Sequence, residues 1–197
     1  MDDDTLPGSW LPARAEGDPA RVAVLLPGGG YSPARPLLHF ARAVLQKHGW
    51  TTQELWWPTR WPQDEDLHRD WINEHAARAV AAEPGAQVLL VGKSLGTWAT
   101  RTAADLGLPG IWLTPLLHKQ QLVEDLRRAT APALLIGGTA DVRTWRPEIV
   151  RELGHSYLEV EGADHGLETD DDPVNSAEIL KRVTAAMDDF AGQLQTR

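Results

Sequence analysis

Short unbroken apolar runs alternate along this chain with longer stretches in which apolar side chains return every three or four positions. Residues 21–26 (Arg-Val-Ala-Val-Leu-Leu) and 87–91 (Gln-Val-Leu-Leu-Val) lack the in–out alternation of a half-exposed strand and read as strands covered on both faces. Residues 51–57, 110–114, 133–136 and 156–160 read as four more strands. Between them Leu37, Leu38, Ala41, Val44 and Leu45 repeat with helical spacing and end before Gly49. Leu67, Trp71, Ile72, Ala76 and Ala79 do the same within a helix predicted over 67–82. Further helices are predicted over 97–106, 120–129 and 147–153. Ile179, Val183, Ala186, Phe190 and Leu194 form the stripe of a final helix, opened by a capping box of Asn175 and Glu178.

Strands alternating with helices predict an α/β fold: one domain over 21–197, a mostly parallel sheet of about six strands with helices on both faces. Residues 1–20, with Pro7, Gly8, Pro12, Gly17 and Pro19, predict an irregular lead-in with room for one short edge strand. Ligands of such sheets bind beyond the carboxyl ends of the strands. The loops of interest therefore begin at Pro27, Pro58, Gly92, Pro115, Gly137 and Glu161.

One of these loops carries Gly92-Lys93-Ser94-Leu95-Gly96, a Gly-x-Ser-x-Gly run between a predicted strand and a predicted helix. Small residues two positions either side of a serine let strand and helix pass close to it, and the turn presents the hydroxyl beside a helix N-terminus that favours negative charge. A phosphate-binding P-loop would need a glycine five residues before Gly92, where Gln87 stands. A serine becomes a nucleophile when a histidine takes its proton and an acid fixes the histidine tautomer. His165 follows the last strand and Asp141 the one before it, both on the edge that carries Ser94. Asp164 is the rival acid, and Asp141 is preferred because adjacent side chains rarely face each other. The order Ser94, Asp141, His165 is that of one fold's triad.

An oxyanion needs two preset N–H donors. Leu95 is the first candidate, and Gly29 or Gly30, in the glycine-rich loop 27–31, the second. The chain has nine tryptophans, of which Trp57 and Trp61, with Tyr31 and His118, are candidates for the substrate-binding wall, whereas Trp71, Trp98 and Trp112 are assigned to the core. His39, His48, His68 and His75 fall on predicted helices as surface or core-edge groups, His155 lies at the opposite edge, and Asp170, Asp171 and Asp172 read as a solvated loop. No histidine–carboxylate cluster has metal-ligand spacing, so no metal is expected.

Composition narrows the partners. A net charge of −9 over 197 residues argues against nucleic acid and against attraction to a membrane surface. Absence of cysteine leaves neither a disulfide framework nor a thiol nucleophile. The acidic start Met1-Asp2-Asp3-Asp4, followed by no apolar run, predicts a cytoplasmic protein.

From Val22 to the last helix, these residues resemble the α/β-hydrolase superfamily, and within it the small, capless serine hydrolases of dienelactone-hydrolase-like and esterase-like kind. Residues 27–30 are similar to the His-Gly-Gly-Gly oxyanion loop of lipases and esterases, with Pro27 in place of the histidine. Residues 92–96 are similar to the nucleophile elbow, Asp141 to the acid and Asp164-His165-Gly166 to the histidine loop. The resemblance implies the single-domain hydrolase fold and a carboxylesterase-like serine hydrolase, with Ser94 as nucleophile, His165 as base and Asp141 as its orienter. It would cleave a small carboxylic ester or thioester through an acyl-enzyme, without a cofactor, as a monomer or homodimer. Residues 114–133, where many relatives insert a lid, have room for one connecting helix, which implies an open site. Amide hydrolysis stays open, and so does a catalytically inactive hydrolase-fold protein serving as a binding or scaffold module.

Overall fold

Alternate residues of each central strand enter opposite cores, and the two faces of the sheet account for most of the buried apolar side chains. In β2 (Asp18–Leu26), Ala23 and Leu25 pack on one side while Val24 and Leu26 pack on the other. β4 (Gln87–Lys93) divides in the same way between Leu89 with Val91 and Val88 with Leu90. The first layer is completed by α1 (Pro36–Lys47) and α6 (Pro173–Leu194), through Leu38, Leu45, Val183 and Met187. The second is built from α2 (Glu65–Ala81), α3 (Thr100–Leu106), α4 (Gln120–Arg128) and α5 (Pro147–Leu153). The computed structural model on which this rests describes residues 13–58, 62 and 64–194.

The remaining strands are β1 (Arg14–Ala15), β3 (Trp50–Glu54), β5 (Gly110–Leu113), β6 (Ala133–Gly138) and β7 (Ser156–Val160). The sheet has seven strands in the order β1-β3-β2-β4-β5-β6-β7, all parallel except β1. After β2 the chain steps outward to β3, crosses back through α2 to β4, and then steps outward the other way. The order reverses between β2 and β4, where such sheets bind ligands. Among the described residues no helix is long and apolar enough to cross a membrane.

The seventh strand is the edge strand for which the lead-in had room. Arg14 and Ala15 pair with Gln53 and Thr52, and β2 itself begins at Asp18, so the sheet reaches into residues predicted as irregular. The strand predicted over 51–57 stops at Glu54, after which indole N–H groups anchor the chain: Trp56 donates to Glu54 Oε2 (3.0 Å) and Trp57 to the Pro27 carbonyl (3.0 Å). The final helix does not open on an Asn175–Glu178 box. It begins at Pro173, and Asp172 Oδ1 accepts from the N–H groups of Val174 and Asn175 (3.0 and 2.9 Å). Proline suits a first helical position, where its missing N–H is not needed, so the cap falls on the residue before it. Asp172, read as part of a solvated run, is that cap.

Candidate active site

The burial of Val88, Leu89, Leu90 and Val91 drives β4 to the centre of the sheet, and the chain must turn sharply where it ends. Ser94 makes that turn at φ +50°, a left-handed conformation unfavourable for a residue with a Cβ. The helix predicted from Thr97 starts earlier, as a 3₁₀ helix over Ser94–Ala99 that runs into α3. Thr97 Oγ1 closes its first turn on the Ser94 carbonyl (2.6 Å). Both flanking glycines are demanded by contact. A Cβ on Gly92 would lie 2.5 Å from the Gly96 carbonyl oxygen, and one on Gly96 only 2.1 Å from that of Leu26. The elbow is thus pressed against the end of β2, which sets Ser94 beside the glycine loop.

The loop after β7 brings His165 to the same place. Asp164 Oδ1 accepts from the N–H groups of Gly166 (2.7 Å) and Glu168 (3.0 Å), so its carboxylate folds the loop. His165 Nε2 lies 2.8 Å from Ser94 Oγ, and His165 Nδ1 lies 2.6 Å from Asp141 Oδ2. Asp141, 5% exposed after β6, is held in turn by Thr144, whose N–H donates to Oδ1 (3.1 Å) and whose hydroxyl donates to Oδ2. Burial alone would raise the Asp141 pKa, but the hydrogen bonds from His165 and Thr144 outweigh it and hold the carboxyl below its ordinary value. The sequence reading missed Thr144. Its only trace is the Asp-x-x-Thr spacing, which allows an aspartate to accept from a backbone N–H within the same turn.

These three side chains open into a cavity of about 380 Å³. Gly29, Leu95, Trp98 and Leu116 line it together with the polar side chains of Glu65, His68, His118, Lys119 and Arg143. His118 lies where it was expected, its pKa lowered by desolvation and then by the positive charges of Lys119, Arg143 and Arg146. His68 and Trp98, assigned to surface and core, also line the cavity. Tyr31 does not. It is buried, and its hydroxyl accepts from the Leu37 N–H (2.9 Å), with burial raising its pKa to about 12. Trp57 and Gly30 border a second groove, which shares Gly29 with the cavity, and Trp61 lies outside the described residues. Of the two candidate glycines, only Gly29 faces the same space as Ser94 and Leu95. Among the described residues no three His, Asp or Glu side chains are grouped as a metal site would need.

No protein-family model and no curated protein matches the sequence. Solved structures do match. A protein of unknown function from Agrobacterium tumefaciens superposes with a TM-score of 0.73 at 14% identity, over 93% of this chain and 90% of that one. A lidless α/β serine hydrolase from Xanthomonas campestris gives 0.63 at 18% identity, over 88% and 80%. Est1E from Butyrivibrio proteoclasticus, in a structure with ferulic acid bound, gives 0.71 at 13% identity, over 93% and 94%. The chain has the α/β-hydrolase fold. Within that fold Ser94 stands at the turn after β4, and Asp141 and His165 follow β6 and β7. The connection from β5 to β6 carries the single helix α4 and no lid.

Proposed function

We propose that this α/β-hydrolase-fold protein is a serine hydrolase that cleaves small carboxylic esters or thioesters through an acyl-enzyme on Ser94. The reading rests on one observation, the unbroken Asp141–His165–Ser94 hydrogen-bond chain at the point where the strand order reverses. Ser94 Oγ attacks the substrate carbonyl carbon while His165 Nε2 takes its proton, and the carbonyl electron pair moves onto oxygen. The N–H groups of Leu95, free at a helix start, and of Gly29 receive that oxyanion. The C–O or C–S bond then breaks, His165 returns the proton to the leaving alkoxide or thiolate, and water repeats the sequence to release the acid. Asp141 fixes the tautomer with the proton on Nδ1 and stabilises the imidazolium. The scheme uses only side chains, backbone and water.

A fluorophosphonate probe tests this directly, since it reacts with an activated serine and not with an ordinary hydroxyl. Peptide mapping of the labelled protein is expected to place the adduct on Ser94. Hydrolysis of p-nitrophenyl acetate through octanoate would then size the cavity. A protein that stays unlabelled would leave the fold serving as a binding or scaffold module, because a fold does not by itself establish an activity.

The charged residues of the cavity lining bear on the substrate. Glu65 is bonded to Lys119 (2.8 Å) and Asp141 to His165, and no described carboxylate lies within ion-pair distance of Arg143. An ester carrying its own carboxylate would supply the missing partner. Arg143→Ala is expected to raise KM about tenfold for mono-p-nitrophenyl succinate, the size of one lost charged contact, and to leave p-nitrophenyl acetate unchanged. Equal changes for both esters would remove the carboxylate from the proposal.

A further inference from the structure

The acyl-transfer scheme gives no task to Lys93, the residue next to Ser94. The residue is 4% exposed, and a buried cation is costly unless the surrounding groups compensate it. The stem lies against the glycine loop, with Cδ 3.4 Å from where a Cβ on Gly28 would stand. The ammonium donates to the His165 carbonyl (3.1 Å) and sits 4.9 Å from the centroid of the Tyr31 ring. That ring is itself fixed, by its hydroxyl on the Leu37 N–H and by the Tyr31 carbonyl on the Gly28 N–H (3.1 Å). One side chain therefore ties together the loops that follow β2, β4 and β7. No described carboxylate lies within ion-pair distance of it, so the charges of Asp141, Asp164 and Glu168 act on it only from farther off, and an apolar residue of similar length would fill the space at lower cost.

We infer that Lys93 is a positioning residue that, in its ammonium form, holds the His165 loop and the 28–31 turn in register around Ser94. The inference rests on the acyl-transfer reading above. Its physical basis is that a charged donor makes the stronger hydrogen bond to a carbonyl, and that attraction to the Tyr31 ring face exists only for the cation. Loss of the proton leaves a neutral amine with a weaker bond to His165 and no hold on Tyr31. Burial lowers the pKa of this lysine to about 8, against the opposing pull of Asp141, Asp164 and Glu168 and with the added push of Arg35. The groups that face it are thus Tyr31 and Arg35 from the loop after β2, Asp141 from the loop after β6, and Asp164, His165 and Glu168 from the loop after β7. Tyr31 titrates far above this range.

The experiment is a set of kcat and KM profiles for p-nitrophenyl acetate from pH 6 to 10, for wild type, Lys93→Met and Lys93→Arg, with Ser94→Ala as the background rate. The ratio of wild-type to Lys93→Arg kcat, in which the ionisation of the shared general base cancels, is expected to fall about tenfold through a midpoint near 8 with KM nearly constant, the size of one lost charged contact. Lys93→Met should run about tenfold below Lys93→Arg at every pH, with no midpoint near 8. Lys93→Arg, which keeps its charge, should stay within a few-fold of wild type at pH 7 and show no fall near 8. A purely structural lysine would give no such rescue and no such profile. Lys93→Met with the wild-type rate and midpoint, or Lys93→Arg retaining the midpoint near 8, would overturn the inference. If Lys93→Met does not fold, the wild-type and Lys93→Arg curves decide alone. Ser94→Ala as active as wild type would instead bring down the acyl-transfer reading and this inference with it, and that result is visible without any Lys93 variant.

Discussion

Ser94→Ala is expected to lower kcat for a p-nitrophenyl ester by on the order of a million-fold, the loss measured when a serine protease is stripped of its nucleophile. At 1.36 kcal/mol per tenfold, this is about 8 kcal/mol of barrier, more than binding or an oxyanion donor can restore. The fold should survive, because Ser94 Oγ contributes one hydrogen bond, to His165, and a bond of that kind is worth about 1 kcal/mol. The left-handed turn is unaffected, since alanine at φ +50° bears the same Cβ strain as serine. The informative comparison is therefore between rate and unfolding midpoint. A collapse in rate at an unchanged midpoint would assign the chemistry to the hydroxyl. Equal, weak rates from both proteins would mark surface-catalysed background and favour the scaffold reading.

The parts of this molecule that could be read from sequence are those in which a local pattern has one physical solution. Buried strands need unbroken apolar runs, so β2, β4 and β6 were visible, and α5 and β7 were bounded as they stand. The elbow was visible because Gly92 and Gly96 sit where any Cβ would strike a backbone oxygen, so a spacing records a contact. Asp141 and His165 followed from their residue types in the loops just past β6 and β7, on the edge that carries Ser94 and in triad order after it. What escaped depends on which of several adequate partners a side chain takes. Tyr31 follows the glycine loop and reads as a cavity residue, yet its hydroxyl serves the Leu37 N–H at the start of α1. Asn175 and Glu178 have capping-box spacing, yet Asp172 and Pro173 cap the helix first. β1, only two residues long, is too short to carry a period. Thr144 reaches Asp141 within one turn, which its spacing permits but does not require, and Lys93 meets His165 only once two distant loops assemble.

Asp141→Asn is expected to cost on the order of ten-thousand-fold in kcat, as the same exchange does in a serine protease triad. The reason here lies in what surrounds the carboxylate. Oδ1 accepts from the Thr144 N–H, while Oδ2 accepts from the Thr144 hydroxyl and faces His165 Nδ1. A carboxamide cannot meet donors on both sides. With its oxygen toward the Thr144 N–H, its NH₂ faces the imidazole and forces the proton onto Nε2, where it blocks acceptance from Ser94. With the amide flipped, the tautomer is kept but two N–H groups confront each other in a buried turn, which costs roughly 1–3 kcal/mol. Both arrangements leave Ser94 chemically present, so the fluorophosphonate adduct should form far more slowly without being abolished. Stability gives a second readout. Asp141 is held below its ordinary value of 3.8, so its ionised form stabilises the fold above that pH, and the contribution is lost as pH falls through the depressed value. Asparagine has no such contribution to lose. The gap in urea midpoint between wild type and Asp141→Asn should therefore be larger at pH 7 than at pH 3. A gap that does not change with pH would mean that Asp141 does not gain its hold on His165 by being ionised.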